Sequence, residues 1–323
     1  MLRTRMCHRT NAPKNVYRLR QGISKELIKM KLTTISTRIH HLAECPLWNH
    51  HQQAIYWTDI LEKSIWKYSP AEKRTQLFWD GDMMVGGFAF TPNNNLILCT
   101  EKGIYHLSHK DNKPSLKKLF DITMAADERF NDITTDPKGR IFAGTITDRR
   151  TDGILYRLEK GREPLAVLKG LKTSNGMAFT NDRKHFFHTD SGTPGIITKY
   201  DYDENTGDIN NPRIFYQAEK QDGKPDGITI DTDDHIWAAC WGGTKVIRLD
   251  PNGKIVDTIP TSAKQTSSVM FGGENLDQLF ITSAAQGATD LKTGTDQQGN
   301  FLGGNVYQTK LKVKGTIPWP ANF

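Results

Sequence analysis

The sequence predicts an all-β chain folded as a six-bladed β-propeller, and three observations carry that prediction. A unit of short apolar strand, polar turn, second strand and third strand ending in a large residue recurs six times. The units follow one another at roughly 40–50 residues, the period of propeller blades built from four strands. After Met30 helical patterning is nearly absent, and apolar residues alternate with polar ones at the strand period of two.

In chain order, Thr33 to His41 alternates weakly through Ile35, Thr37 and Ile39 and reads as a strand. Its expected place is in the last blade, where it would close the ring and remove an exposed sheet edge. Second strands begin near Ala54, Asn95, Arg140, Lys184, Asp234 and Asp277, and third strands near Ser64, Gly103, Gly153, Ile196, Lys245 and Gly304. The clearest unit runs from Lys224 to Cys240. Pro225 sets its own φ, Gly227 permits close backbone approach, and Ile228 and Ile230 alternate with polar neighbours. Asp231 to Asp234 form a polar turn, and Ile236 to Ala239 return as the next strand.

Innermost strands of a propeller converge on its axis, so residues at matching positions should ring one end of the central channel. Those positions hold Glu44, Asn131, Asn175 and Asp226, with Gly86 or Gly87 and Ser267 or Ser268 in the other two units. Two carboxylates and two amide carbonyls are hard oxygen donors. Four apparent turn residues therefore become one candidate site for a divalent cation at one end of the channel. A set of oxygen ligands without His or Cys favours Ca²⁺, with Zn²⁺, Mn²⁺ and Mg²⁺ as alternatives.

The motifs resemble those of the SMP-30/gluconolactonase/luciferin-regenerating-enzyme (regucalcin-like) family. The matching segments include Ala43-Glu44-Cys45-Pro46-Leu47-Trp48, Tyr56-Trp57-Thr58-Asp59-Ile60, Arg129-Phe130-Asn131-Asp132 and Asp136-Pro137-Lys138-Gly139-Arg140. Ala143-Gly144-Thr145, Ser174-Asn175-Gly176-Met177, Pro225-Asp226-Gly227 and Val246-Ile247-Arg248-Leu249-Asp250-Pro251 follow. Each is weak alone, and their order and spacing together are specific. The resemblance implies hydrolysis of a sugar lactone, D-glucono-1,5-lactone being the family's usual substrate. It further implies Glu44, Asn175 and Asp226 as protein ligands of the cation, and Arg129 and Asn131 as the substrate-side pair. Asp226 is then also the general base. In some relatives a glutamate past Ala-Gly-Thr approaches the substrate. Here that stretch reads Thr145-Ile146-Thr147-Asp148-Arg149-Arg150, with Asp148 as its candidate replacement. Two other functions fit the same residues. One is a metal-dependent ester or phosphotriester hydrolase, the other a non-enzymatic calcium-binding protein.

Composition narrows the partners. The net charge of +7 is concentrated before Thr33, where nine Lys and Arg face one acid, Glu26. The rest of the chain is near neutral and offers no broad phosphate-binding face, so no nucleic acid is expected. Residues 1–31 read as a basic extension, either a disordered head or a start set upstream of Met30, and 32–323 as the propeller. The head is Arg-rich like a mitochondrial transit peptide, but it lacks a secretory core and cleavage site. No apolar run reaches the length of a membrane span. Four scattered cysteines, with Cys99 and Cys240 in apolar strands, favour a reducing, cytoplasmic compartment. Asp201 to Gly207 imitates the start of a calcium loop, but Gly207 is one place late and Pro212 stands where a bidentate Glu belongs. It reads as a hairpin turn. No Gly-x-Ser-x-Gly elbow supports a serine esterase.

Overall fold

The structure, a computed structural model, describes residues 32–110, 113–147 and 152–323. The basic extension of residues 1–31 and the Asp148 substitute therefore lie outside the described residues. Everything below concerns the unit Lys31–Phe323.

The chain opens with strand β1 (Thr33–Ser36). Blade 1 is β2 (Ala43–Asn49), β3 (Ala54–Asp59), β4 (Ser64–Ser69) and β5 (Arg74–Asp80). Blade 2 is β6 (Val85–Phe90), β7 (Leu96–Thr100), β8 (Gly103–Lys110) and β9 (Lys113–Phe120). Blade 3 is β10 (Arg129–Thr135), β11 (Ile141–Ile146), β12 (Gly153–Leu158) and β13 (Leu165–Leu171). Blade 4 is β14 (Ser174–Phe179), β15 (His185–Asp190), β16 (Ile196–Tyr202) and β17 (Ile209–Gln217). Blade 5 is β18 (Lys224–Ile230), β19 (Ile236–Trp241), β20 (Lys245–Leu249) and β21 (Ile255–Pro260), preceded by a short 3₁₀ turn at Lys220–Asp222. Blade 6 is β22 (Thr266–Gly272), β23 (Gln278–Ser283) and β24 (Val306–Lys310).

Each blade is a four-stranded antiparallel sheet in sequence order, and β1 supplies the fourth strand of blade 6 by pairing with β24. The expected closure of the ring is thus present, though the strand ends at Ser36 rather than His41. Beyond Ser36 the chain turns inward. The buried His40 ring is hydrogen-bonded to Ser36 Oγ at 3.0 Å and to Asp59 Oδ2 at 3.2 Å, which ties the closing strand to blade 1.

Apolar side chains from facing sides of neighbouring blades form separate wedges of core. Tyr56, Ile65 and Trp79 of blade 1 meet Val85, Phe88 and Leu98 of blade 2. Phe142 and Leu155 of blade 3 meet Phe179, Phe186 and Tyr200 of blade 4. This division explains why each unit carries its own apolar strands rather than contributing to one central core. A blade alone would leave both faces wet.

The innermost strands β2, β6, β10, β14, β18 and β22 pack side by side around the axis. At the end of the channel away from the ring of polar residues, the turns into the second strands of blades 1, 2, 3 and 5 are capped by side chains. Asn49 Oδ1 accepts from Gln52 N, Thr91 Oγ1 from Asn95 N, Asp136 Oδ1 from Lys138 N and Arg140 N, and Asp231 Oδ1 from Asp233 N and His235 N. The C-terminal segment covers this end, with Ala321 N donating to Phe90 O and Asn322 N to Gly139 O. The hairpin at Asp203–Asp208 holds a guanidinium. Carbonyls of Glu204 and Asn205 accept from Arg140 at 2.6 and 3.1 Å.

Candidate active site

Every innermost strand carries a register shift at the level of the proposed ring, with one extra residue against its partner strand. The shifts fall between Glu44 and Leu47, Phe130 and Ile133, Ser174 and Met177, and Pro225 and Ile228, and in blades 2 and 6 between Val85 and Gly87 and between Thr266 and Ser268. Such β-bulges bend a strand and re-aim a side chain. Here they turn Glu44, Asn131, Asn175 and Asp226 from four different blades into one cavity. The backbone strain this needs is visible at Cys45, which has φ 48° beside Glu44.

The glycines after the polar residues explain why the strands can come so close. A Cβ at Gly176 would lie 2.2 Å from Ile228 N, and one at Gly227 would lie 1.9 Å from Ser268 Oγ. Ser174-Asn175-Gly176 and Pro225-Asp226-Gly227 are therefore mid-strand contacts between adjacent blades, not turns. Only a residue without a side chain fits there.

The cavity has a volume of about 610 Å³ and is lined by all five residues singled out above: Glu44, Arg129, Asn131, Asn175 and Asp226. Four of them are nearly closed from solvent, with Glu44 at 8%, Asn131 at 6%, Asn175 at 4% and Asp226 at 3% exposed. A hydrogen-bond chain crosses three blades. Arg129 Nη1 donates to Asn131 Oδ1 at 2.7 Å and to Phe130 O at 3.0 Å. Asn131 Nδ2 donates to Asn175 Oδ1 at 2.5 Å and to Ser174 O at 2.9 Å. Asn175 Nδ2 donates to Ser191 Oγ at 2.7 Å, and Ser191 Oγ to Pro225 O at 2.6 Å. Behind this chain, Ser174 Oγ is hydrogen-bonded to buried His188 at 2.8 Å, and burial pushes the His188 imidazole down to about 4.

The two carboxylates oppose one another. Burial first, then the negative charge of Asp226, then that of Asp132 raise the Glu44 carboxyl well above the usual range, while Arg129 pulls it down. Asp132 points to the other side of the ring, into a smaller cavity of about 90 Å³ closed by Thr316 to Trp319, and burial pushes its carboxyl up to about 7. Two buried like charges lining one cavity with two side-chain amides are a donor set that a divalent cation would neutralise. The residues present fit such an ion.

The profile of the SMP-30/Gluconolactonase/LRE-like region matches residues 42–285. The chain belongs to the SMP-30/gluconolactonase/LRE-like family. Regucalcin of Gallus gallus is 30% identical over 299 residues, covering 90% of this chain and 98% of that protein. Pentonolactonase XacC of Haloferax volcanii is 29% identical over 276 residues, covering 85% and 92%. Among solved structures, a luciferin-regenerating enzyme superposes with a TM-score of 0.83 at 28% identity, covering 91% of this chain and all of that one.

In this family member the motif reading brought the five residues together but did not anticipate their support. Ser191, the bridge between Asn175 and the blade 5 backbone, follows directly on Asp190 at the end of β15. The position just past a second strand could have been compared across units to find it. Thr173, Lys224, Glu101 and Trp241 also line the cavity and were not singled out.

Proposed function

We propose that this protein hydrolyses a sugar lactone to its aldonic acid with one divalent cation, Ca²⁺ in first place, held by Glu44, Asn175 and Asp226. One observation carries the proposal. Donor groups from three separate blades converge on one cavity in which Glu44 and Asp226 repel each other. Membership of a family that contains lactonases supports the substrate class. When bound, the cation supplies Lewis-acid polarisation of the lactone carbonyl and stabilises the developing oxyanion.

The chain's own residues account for the rest. Asp226 takes a proton from the attacking water as the oxygen adds to the carbonyl carbon. The ring C–O bond then breaks, and the departing ring oxygen receives the proton to become a hydroxyl. Asn131, held by Asn175 and the Ser174 carbonyl, and Arg129, fixed by Asn131, face the substrate's hydroxyls and the carboxylate of the product. Among the described residues no helix is long and apolar enough to cross a membrane. Cys45, Cys99 and Cys240 are buried free thiols, which suits the reducing cytoplasm.

The test is to strip divalent ions and restore them singly, assaying neutral sugar lactones, simple esters and phosphotriesters. The proposal expects lactone turnover that returns with the ion. Turnover confined to esters or phosphotriesters would replace the substrate class, and ion binding without any turnover would leave a calcium-binding protein.

A further inference from the structure

The ring of Glu44, Gly86, Asn131, Asn175, Asp226 and Ser267 has a second tier above it. Two places before each ring position stand Leu42, Met84, Arg129, Thr173, Lys224 and Gln265, and all six line the large cavity. The tier is asymmetric. Blades 1 and 2 offer apolar Leu42 and Met84, and blade 6 offers Gln265, whose amide is engaged with the Gln286 backbone in both directions. Blades 3 and 5 carry the two cations, Arg129 and Lys224, on either side of Thr173.

Arg129 is tied to Asn131 and Phe130. Lys224 differs. It is half-buried, it pairs in register with Trp241, and among the described residues its ammonium has neither a hydrogen bond nor an ion pair. Of the acids elsewhere on the wall, Glu128 Oε2 accepts from Ala125 N at 3.1 Å. An ammonium on a cavity wall with no ion pair of its own attracts an anion. A neutral sugar lactone presents none, and the carboxylate of its product forms at the level of the lower ring. The cavity, at about 610 Å³, has room for a longer ligand.

We propose that Lys224 selects lactones bearing a second, anionic group, a carboxylate or a phosphate on the part of the molecule remote from the lactone carbonyl. This rests on the lactonase reading given above. The test compares wild type, Lys224→Ala and Lys224→Arg on gluconolactone, the monolactone of glucaric acid and 6-phosphogluconolactone. Binding of the open products gluconate, glucarate and 6-phosphogluconate is measured by calorimetry alongside. The wild type should prefer a charged lactone. Lys224→Ala should lower the charged-to-neutral ratio of kcat/KM by about 10–100-fold, the worth of a hydrogen bond to a charged group, and Lys224→Arg should keep most of it. Raising salt should erode the preference. Loss on the carboxylate alone or on the phosphate alone supports the proposal and names the group. A ratio unchanged by Lys224→Ala, or a parallel fall on all three substrates, overturns it. If no lactone turns over, the lactonase reading fails and binding decides. Tighter binding of glucarate or 6-phosphogluconate than of gluconate, removed by Lys224→Ala, upholds the anion site. Equal or absent binding overturns it as well.

Discussion

Strand β18 carries a buried aspartate near each end, and the two are opposites. Asp231, just past its C-terminal end, is enclosed by donors. Its Oδ1 accepts from the amides of Asp233 and His235, and its Oδ2 accepts from Trp237 Nε1 at 3.0 Å and from Arg248 Nε and Nη2 at 2.9 and 2.6 Å. Asp226, near its N-terminal end, faces the large cavity and raises the Glu44 carboxyl by repulsion. One carboxylate is surrounded by groups that stabilise its charge, the other sits beside a second negative charge. The difference teaches where the fold is held and where it has given up stability for a site. A carboxylate that holds structure is enclosed by donors of its own chain, and one at a binding cavity stands against a like charge.

Breaking the structural member should have the larger effect on stability. Asp231→Asn removes the countercharge of a largely buried Arg248 and should cost up to about 3 kcal/mol, since breaking a buried ion pair from one side is expensive. Denaturant unfolding should read this as a lower midpoint at unchanged slope. Turnover per folded molecule should stay within about twofold of wild type.

Glu44, the carboxylate that Asp226 faces across the site, should respond in the opposite sense. A carboxyl raised in the folded state contributes stability below its unfolded pKa and loses it as pH rises through the folded value. Glu44→Gln removes that loss and the repulsion with Asp226. In cation-free protein at pH 7 it should therefore be more stable than wild type, by about 0.5–2 kcal/mol. The gain should vanish below the normal carboxylate range and shrink when the cation is added to wild type. Thermal unfolding across pH, with and without the ion, checks all three.

The sequence made the blades legible because each unit repeats the same alternation, and it made the ring legible because Glu44, Asn131, Asn175 and Asp226 recur in one register. Asp231 was readable only as a turn residue. Its burial depends on Trp237 and Arg248 arriving from the next two strands, a convergence no local pattern encodes. The sequence showed that Gly227 permits close backbone approach, but spacing along one strand says nothing of the neighbouring blade, whose backbone or side chain occupies the space of a Cβ at Gly176 and Gly227. The bulges, which decide that these side chains point into the channel, change the count by a single residue within an otherwise ordinary strand. Lys224 became visible only once the cavity showed that two positions before each ring residue form a tier of their own.

The central claim is that Asp226 both holds the ion and moves the proton, and one measurement addresses it directly. Asp226→Asn keeps an oxygen donor of the same size, so the cation should still bind at raised concentration, but the amide cannot take a proton at neutral pH. Turnover of gluconolactone at saturating cation, corrected for spontaneous hydrolysis, should fall by about 10²–10⁴-fold, the usual worth of a positioned base. Turnover close to wild type under those conditions would contradict the account, leaving Asp226 as a ligand and placing the base elsewhere.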